Sequence, residues 1–161
     1  MTNIERARQL VEQVRGLGTN DFCTCAGSRN SPLLVVLGSL GRWVAGSLGD
    51  DVRVFSFVDE RSAAFFALGR TKTHGNPAAV VTTSGTAVAE LLPAVIEAHY
   101  SALPLVLITA DRPARFRGTG APQAIEQVGI FGSYAATSLD GWNRARPLHL
   151  NIEFDEPLID E

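Results

Sequence analysis

No basic run marks this sequence, and its net charge of −3 at pH 7 offers nucleic-acid phosphates no footprint. Apolar stretches stay short of the about 18 residues that span a bilayer. The start, Met1-Thr2-Asn3-Ile4-Glu5-Arg6, lacks the basic-then-apolar layout of a signal peptide, so the expected setting is the cytoplasm, with no membrane or nucleic-acid partner. Cysteine is scarce. Cys23 and Cys25, the only two, sit two apart on one expected strand, where they share a face and are badly placed to bridge each other. They read as small buried thiols. The histidines, His74, His99 and His149, are far apart in sequence with no ligand spacing, so no metal is expected on this chain. Also missing are G-x-G-x-x-G after the first strand, G-x-x-x-x-G-K-[ST] and a serine in a nucleophile elbow. Dinucleotide, nucleotide and hydrolase sites lose support accordingly.

What is present suits one α/β domain. A chain of 161 residues with 45% hydrophobic and 19% charged residues can bury a sizeable core. Residues 4 to 17 carry one apolar stripe (Ile4, Ala7, Leu10, Val11, Val14, Leu17), with Thr2 and Glu5 as a capping box. A strand is expected over 21–26, then a helix from Ser31 as N-cap and Pro32 as first helical residue. The glycine-rich stretch 38–51 leaves that helix's end open. A strand over 52–58, a helix over 60–72 and a strand over 78–82 follow. Next comes a helix from about Thr86 to Tyr100, kinked at Pro93, and a strand over 105–109. Residues 114–132 read as loop with a helical turn near 123–127, and late strands are expected at 137–139 and 148–152. Continuously apolar strands alternating with helices point to a doubly wound, mostly parallel sheet with helices on both faces.

In such sheets ligands bind beyond the carboxyl ends of the strands. This chain puts Gly27-Ser28-Arg29 there, then Asp59-Glu60-Arg61, Thr83-Ser84-Gly85-Thr86 and Asp111-Arg112-Pro113. Asp59 and Glu60 read as an ordinary helix start, where acids suit the helix dipole. A carboxylate aimed at an apolar layer is costly unless it has a partner or a task. Arg29 and Arg112 suit either surface ion pairs or the planar capture of carboxylates. Thr83-Ser84-Gly85 suits either a helix cap or an anion-binding turn. The set reads as a pocket for a small molecule with several carboxylates.

Taken in order, Gly27-Ser28-Arg29-Asn30-Ser31-Pro32-Leu33, Asp59-Glu60-Arg61, Thr83 to Ala89, Pro93 to Ala98, Thr109-Ala110-Asp111-Arg112-Pro113 and Gln123-Ala124-Ile125-Glu126-Gln127 resemble one family. It is the N-terminal pyrimidine-binding domain of 2-succinyl-5-enolpyruvyl-6-hydroxy-3-cyclohexene-1-carboxylate synthases, thiamine-diphosphate enzymes of menaquinone biosynthesis. The resemblance covers about residues 5–158. It implies that Glu60 hydrogen-bonds N1′ of the cofactor's aminopyrimidine and so activates the cofactor. The activating carboxyl group is expected in a dry site, where burial raises its pKa. It also implies that Thr83, Ser84 and Gly85 line the cofactor, and that Ser28, Arg29, Arg112 and Gln123 hold carboxylates of 2-oxoglutarate or isochorismate. The implied reaction is decarboxylation of 2-oxoglutarate and addition of the succinyl unit to isochorismate.

Three positions depart from the family pattern: Ala26 stands where proline is common, and Glu90 and Pro122 where asparagine is. Pro122 removes a donor beside Gln123. The family's central and diphosphate-binding domains, the latter holding Mg²⁺, have no counterpart within the single domain of residues 1–161. Gly49-Asp50 with Asn76 imitates the metal motif's spacing, but Asp51 replaces the second glycine and the pair precedes a strand. The resemblance thus implies a homo-oligomer in which a second subunit's diphosphate-binding domain completes the site, with this chain alone inactive. Two other readings stay open: a stand-alone pyrimidine-binding subunit of a two-chain 2-oxoacid decarboxylase, and a non-catalytic carboxylate-binding module.

Overall fold

In the computed structural model, which describes residues 1–40, 42–43 and 52–159, six strands form one sheet in the order β2-β3-β1-β4-β5-β6. Every neighbouring pair is parallel. The strands are β1 (Asp21–Cys25), β2 (Arg42–Trp43), β3 (Arg53–Phe57), β4 (Ala79–Thr82), β5 (Val106–Asp111) and β6 (Leu148–Glu153). β1, β4 and β5 are buried along their whole length, as parallel strands covered on both faces must be. Pleating sorts their side chains. Cys23, Cys25, Val80 and Leu107 join α3 (Glu60–His74), α4 (Thr86–Ala89) and α5 (Leu92–Tyr100) in one core cluster. Phe22, Val54, Val81 and Ile108 join α1 (Asn3–Gly16) and α2 (Ser31–Leu40) in the other. Both cysteines are free, buried and on the same face, as expected.

The Thr2–Glu5 capping box forms as the sequence predicts, Thr2 Oγ1 accepting the Glu5 N–H at 3.1 Å and Glu5 accepting the Thr2 N–H at 2.8 Å. Ser31 differs. It lies inside α2, and its hydroxyl donates back to the Ser28 carbonyl at 2.7 Å. That helix, whose end the glycine-rich stretch leaves open, runs to Leu40; most of 38–51, with Gly49, Asp50 and Asp51, lies outside the described residues.

Three further expectations fail for definable reasons. The single kinked helix from Thr86 to Tyr100 is two helices, α4 and α5, separated at Glu90 and Leu91. Pro93 sits in the first turn of α5, where its missing N–H would have had no intrahelical partner. The helical turn near 123–127 is absent; single 3₁₀ turns occur instead at Ala114–Phe116 and Gly132–Tyr134. Residues 137–139 make no strand, because only one bridge, Ala136 to Leu148, forms before the chain turns away.

Candidate functional site

β1 has β3 on one side and β4 on the other, so the chain reverses its direction of winding between β1 and β4. That switch point opens a crevice at the carboxyl ends of the two strands. There Gly27 lies flat against Thr83: a Cβ on Gly27 would come within 2.6–2.8 Å of the Thr83 side chain. Fully buried Asn30 closes the β1 turn, its Oδ1 accepting the Gly27 N–H at 2.9 Å and its Nδ2 donating to the Cys25 carbonyl at 2.8 Å. Ser28, outside this clamp, is exposed.

Glu60 is the first residue of α3, directly after β3. The Asp59 carboxylate caps the helix by accepting the Ser62 N–H at 2.7 Å; hydrogen bonding to the Ser62 side chain first, and then to this N–H, holds the Asp59 pKa below the usual range. Glu60 is therefore not needed as the cap. Glu60 is half-buried, and its carboxylate has no hydrogen-bond or ion-pair partner among the described residues. Burial first, then the nearby charges of Glu60 and Asp59, push the Cys25 thiol up to about 12, which keeps it protonated and unreactive.

The turn after β4 is buried throughout, with Thr83 at 6% and Ser84 at 1% exposure. Gly85 adopts φ 81°, ψ −140°, a conformation closed to side-chain-bearing residues, and its N–H donates to Gln127 Oε1 at 3.0 Å. Gln123 packs its backbone onto Gly85, within 3.0 Å of where a Cβ would stand, and itself takes φ 53°. At the end of β5, the buried Asp111 accepts the Arg112 N–H on Oδ1 at 2.8 Å and an Asn151 Nδ2–H on Oδ2 at 2.9 Å. Arg112 donates from Nε to the Pro122 carbonyl at 2.9 Å; no other guanidinium nitrogen is engaged among the described residues. Pro122, a departure that removed a donor, contributes an acceptor instead.

Arg29 turns elsewhere. Nearly buried, it donates from one terminal nitrogen to the Phe154 carbonyl at 3.0 Å, and the other pairs with Glu156 at 3.0 Å. The fold thus packs Gly27 against Thr83 and ties Gly85 to Gln123. Arg112 is set on the neighbouring β5 loop, and Arg29 is fastened to the segment after β6. Sequence reasoning passes over Asn30, Gln127 and Asn151 as site residues. Each is an amide whose role depends on neighbours distant in sequence, and the only available signal is that Asn30 and Gln127 fall inside family-like motifs.

Residues 4–130 match the family described as thiamine pyrophosphate enzyme, N-terminal TPP binding domain. The chain belongs to that family. This TPP-binding domain is 46% identical over 173 residues to a 2-succinyl-5-enolpyruvyl-6-hydroxy-3-cyclohexene-1-carboxylate synthase of Bdellovibrio bacteriovorus, covering 99% of the chain and 31% of that protein. Synthases of the same name are similar in Akkermansia muciniphila (49% over 152 residues, 87% of the chain, 27% of the protein) and Corynebacterium diphtheriae (44% over 167 residues, 99% and 31%). The domain therefore spans about a third of the length of these relatives. Among the described residues no helix is long and apolar enough to cross a membrane.

Proposed function

We propose that this TPP-binding domain supplies the pyrimidine half of the active site of a 2-succinyl-5-enolpyruvyl-6-hydroxy-3-cyclohexene-1-carboxylate synthase. The observation that carries the reading is Glu60, a half-buried carboxylate that neither caps its helix nor pairs with a cation among the described residues. A group held this way is free to accept a hydrogen bond from a ligand entering the crevice. Gly27, packed against Thr83, and Gly85, held at φ 81°, keep the turns after β1 and β4 free of side chains at these positions, which leaves bare backbone for a flat ring to approach. The residues present therefore fit the aminopyrimidine of thiamine diphosphate.

When bound, thiamine diphosphate supplies the electron sink that lets a 2-oxoacid lose carbon dioxide. The protein's part is proton placement and binding. Glu60 would share a proton with N1′ of the ring, a task that calls for a carboxyl group within hydrogen-bond reach of that nitrogen. Arg112, with its terminal nitrogens unengaged, offers a planar fork to a substrate carboxylate; Arg29, Ser28 and Gln123 complete the set of contacts to 2-oxoglutarate and isochorismate. The diphosphate and Mg²⁺ fall to the diphosphate-binding domain of a second subunit. Among the described residues no group of three or more His, Cys, Asp or Glu side chains is arranged to hold a metal ion. Val58, Phe65 and Phe66, exposed on the corner that bears Glu60, are apolar surface that such a subunit would cover.

The test is Glu60→Gln in the complete enzyme. Glutamine keeps the size and a hydrogen bond but cannot exchange the proton, so turnover should fall about 10²–10⁴-fold with the fold intact. Exchange of the C2 proton of bound cofactor should slow in parallel. Near-native exchange in the variant would remove Glu60 from the role.

A further inference from the structure

The Gly85 turn is held from a distance. Gly85 is buried, and a buried backbone N–H needs a partner. Gln127, 42 residues further on and fully buried, provides it through Oε1. The rest of the amide is also committed, Nε2 donating to the Ala110 carbonyl at 2.9 Å and to Asn151 Oδ1 at 2.7 Å.

These bonds have one consistent direction. The Asp111 carboxylate only accepts, so Asn151 must face it with Nδ2 and turn Oδ1 the other way. That oxygen accepts from Thr109 Oγ1 at 2.8 Å and from Gln127 Nε2. Gln127 must therefore turn its oxygen toward Gly85; flipped, it would oppose two acceptors with an acceptor and one donor with a donor. The same carboxylate accepts the Arg112 N–H, so one buried acid sets the direction of two loops.

We propose that Gln127, oriented through Asn151 by Asp111, is a positioning residue that holds the Gly85 turn ready for the pyrimidine ring. The proposal rests on the cofactor reading above. Gln127 touches no reacting atom in this scheme; it removes the need for the turn to be ordered at the moment of binding.

Two measurements on the complete protein decide it. In the cofactor-free wild type, the Gly85 amide should exchange with solvent slowly, at a rate typical of the sheet. If it exchanges like an exposed loop and slows only when thiamine diphosphate is added, Gln127 does not pre-order the turn and the proposal fails. In Gln127→Met, which keeps length and loses all three hydrogen bonds, the cofactor's dissociation constant should rise about tenfold or more, while kcat at saturating cofactor stays within about threefold. An unchanged dissociation constant in a folded variant, or a fall in kcat alone, would overturn it. Should Gln127→Met not fold, exchange at Gly85 in the wild type decides the matter alone. A wild-type protein that protects Gly85 yet binds no thiamine diphosphate would sink the cofactor reading, and the ring's part in the proposal with it, leaving only the ordered turn.

Discussion

Arg29 and Arg112 carry the same charge in different company. Arg112 spends one guanidinium nitrogen on the Pro122 carbonyl and keeps the rest of the fork. Arg29 is 7% exposed at its side chain and already pairs with Glu156, which is 61% exposed. The carboxylate of that pair regains water easily when displaced, so the bridge is a weak one, worth up to about 1 kcal/mol. Under the proposed function, a substrate carboxylate reaching Arg29 would have to displace it. In the complete enzyme, Glu156→Gln is accordingly expected to lower KM for one dicarboxylate substrate by up to about fivefold with kcat unchanged. Arg112→Ala is expected to raise a substrate KM about ten- to a hundredfold, the loss of a charge-assisted contact, with cofactor affinity intact. Steady-state kinetics with each substrate varied in turn check both. A Glu156→Gln enzyme with wild-type constants for both substrates would show that Arg29 is purely structural.

At the scale of elements, the α4–α5 corner separates what a sequence shows from what it conceals. The run from Thr86 to Tyr100 is apolar enough for one helix, and a proline inside it reads as a kink. Nothing local announces that the helix stops at Ala89 and a new one starts at Leu92. Proline is costly mid-helix, about 3 kcal/mol, and harmless in a first turn. Pro93→Ala therefore discriminates: release of a mid-helix kink would stabilise the domain, whereas loss of a well-placed proline should destabilise it by about 0.4–1 kcal/mol through the freer unfolded chain. Urea unfolding of the two proteins reads the sign. Residues 123–127 are concealed for a different reason. The chain there follows contacts its side chains make with Gly85 and β6, and those partners lie far off in sequence. The strand-end positions of Glu60, Arg112 and the Thr83–Gly85 turn are legible, because charge and glycine at the end of an apolar strand stand out against it. Gln127 and Asn151 are not, since an amide looks the same on a surface as in a buried network.

Across the whole molecule, the sheet buries polar groups as well as apolar ones, and His149 has the clearest consequence. It lies on β6, 2% exposed, with Nε2 2.8 Å from Thr109 Oγ1 and its ring edge-on to Phe131 at 4.7 Å. Burial lowers its pKa from 6.5 to about 4, so the folded protein keeps the ring neutral where the unfolded chain would charge it. The sign follows from proton counting. Between pH 6.5 and 4 the unfolded state binds more protons than the folded state, so stability rises with pH across that window. It is complete above about 6.5 and lost progressively on acidification. A separation of that size is worth about 3 kcal/mol, a large share of a domain's margin. His149 also shares Thr109 with Asn151: the Thr109 hydroxyl gives its one proton to Asn151 Oδ1, so His149 donates from Nε2–H, and proton uptake at Nδ1 leaves that bond in place. His149→Gln retains an amide to meet the Thr109 hydroxyl and removes the titration. Unfolding free energies measured from pH 8 to pH 4 should fall more steeply for the wild type than for the variant, the two curves converging by about 3 kcal/mol as the pH drops. Parallel curves would mean that His149 titrates alike in the folded and unfolded chains, and that its burial is relieved by water reaching the ring.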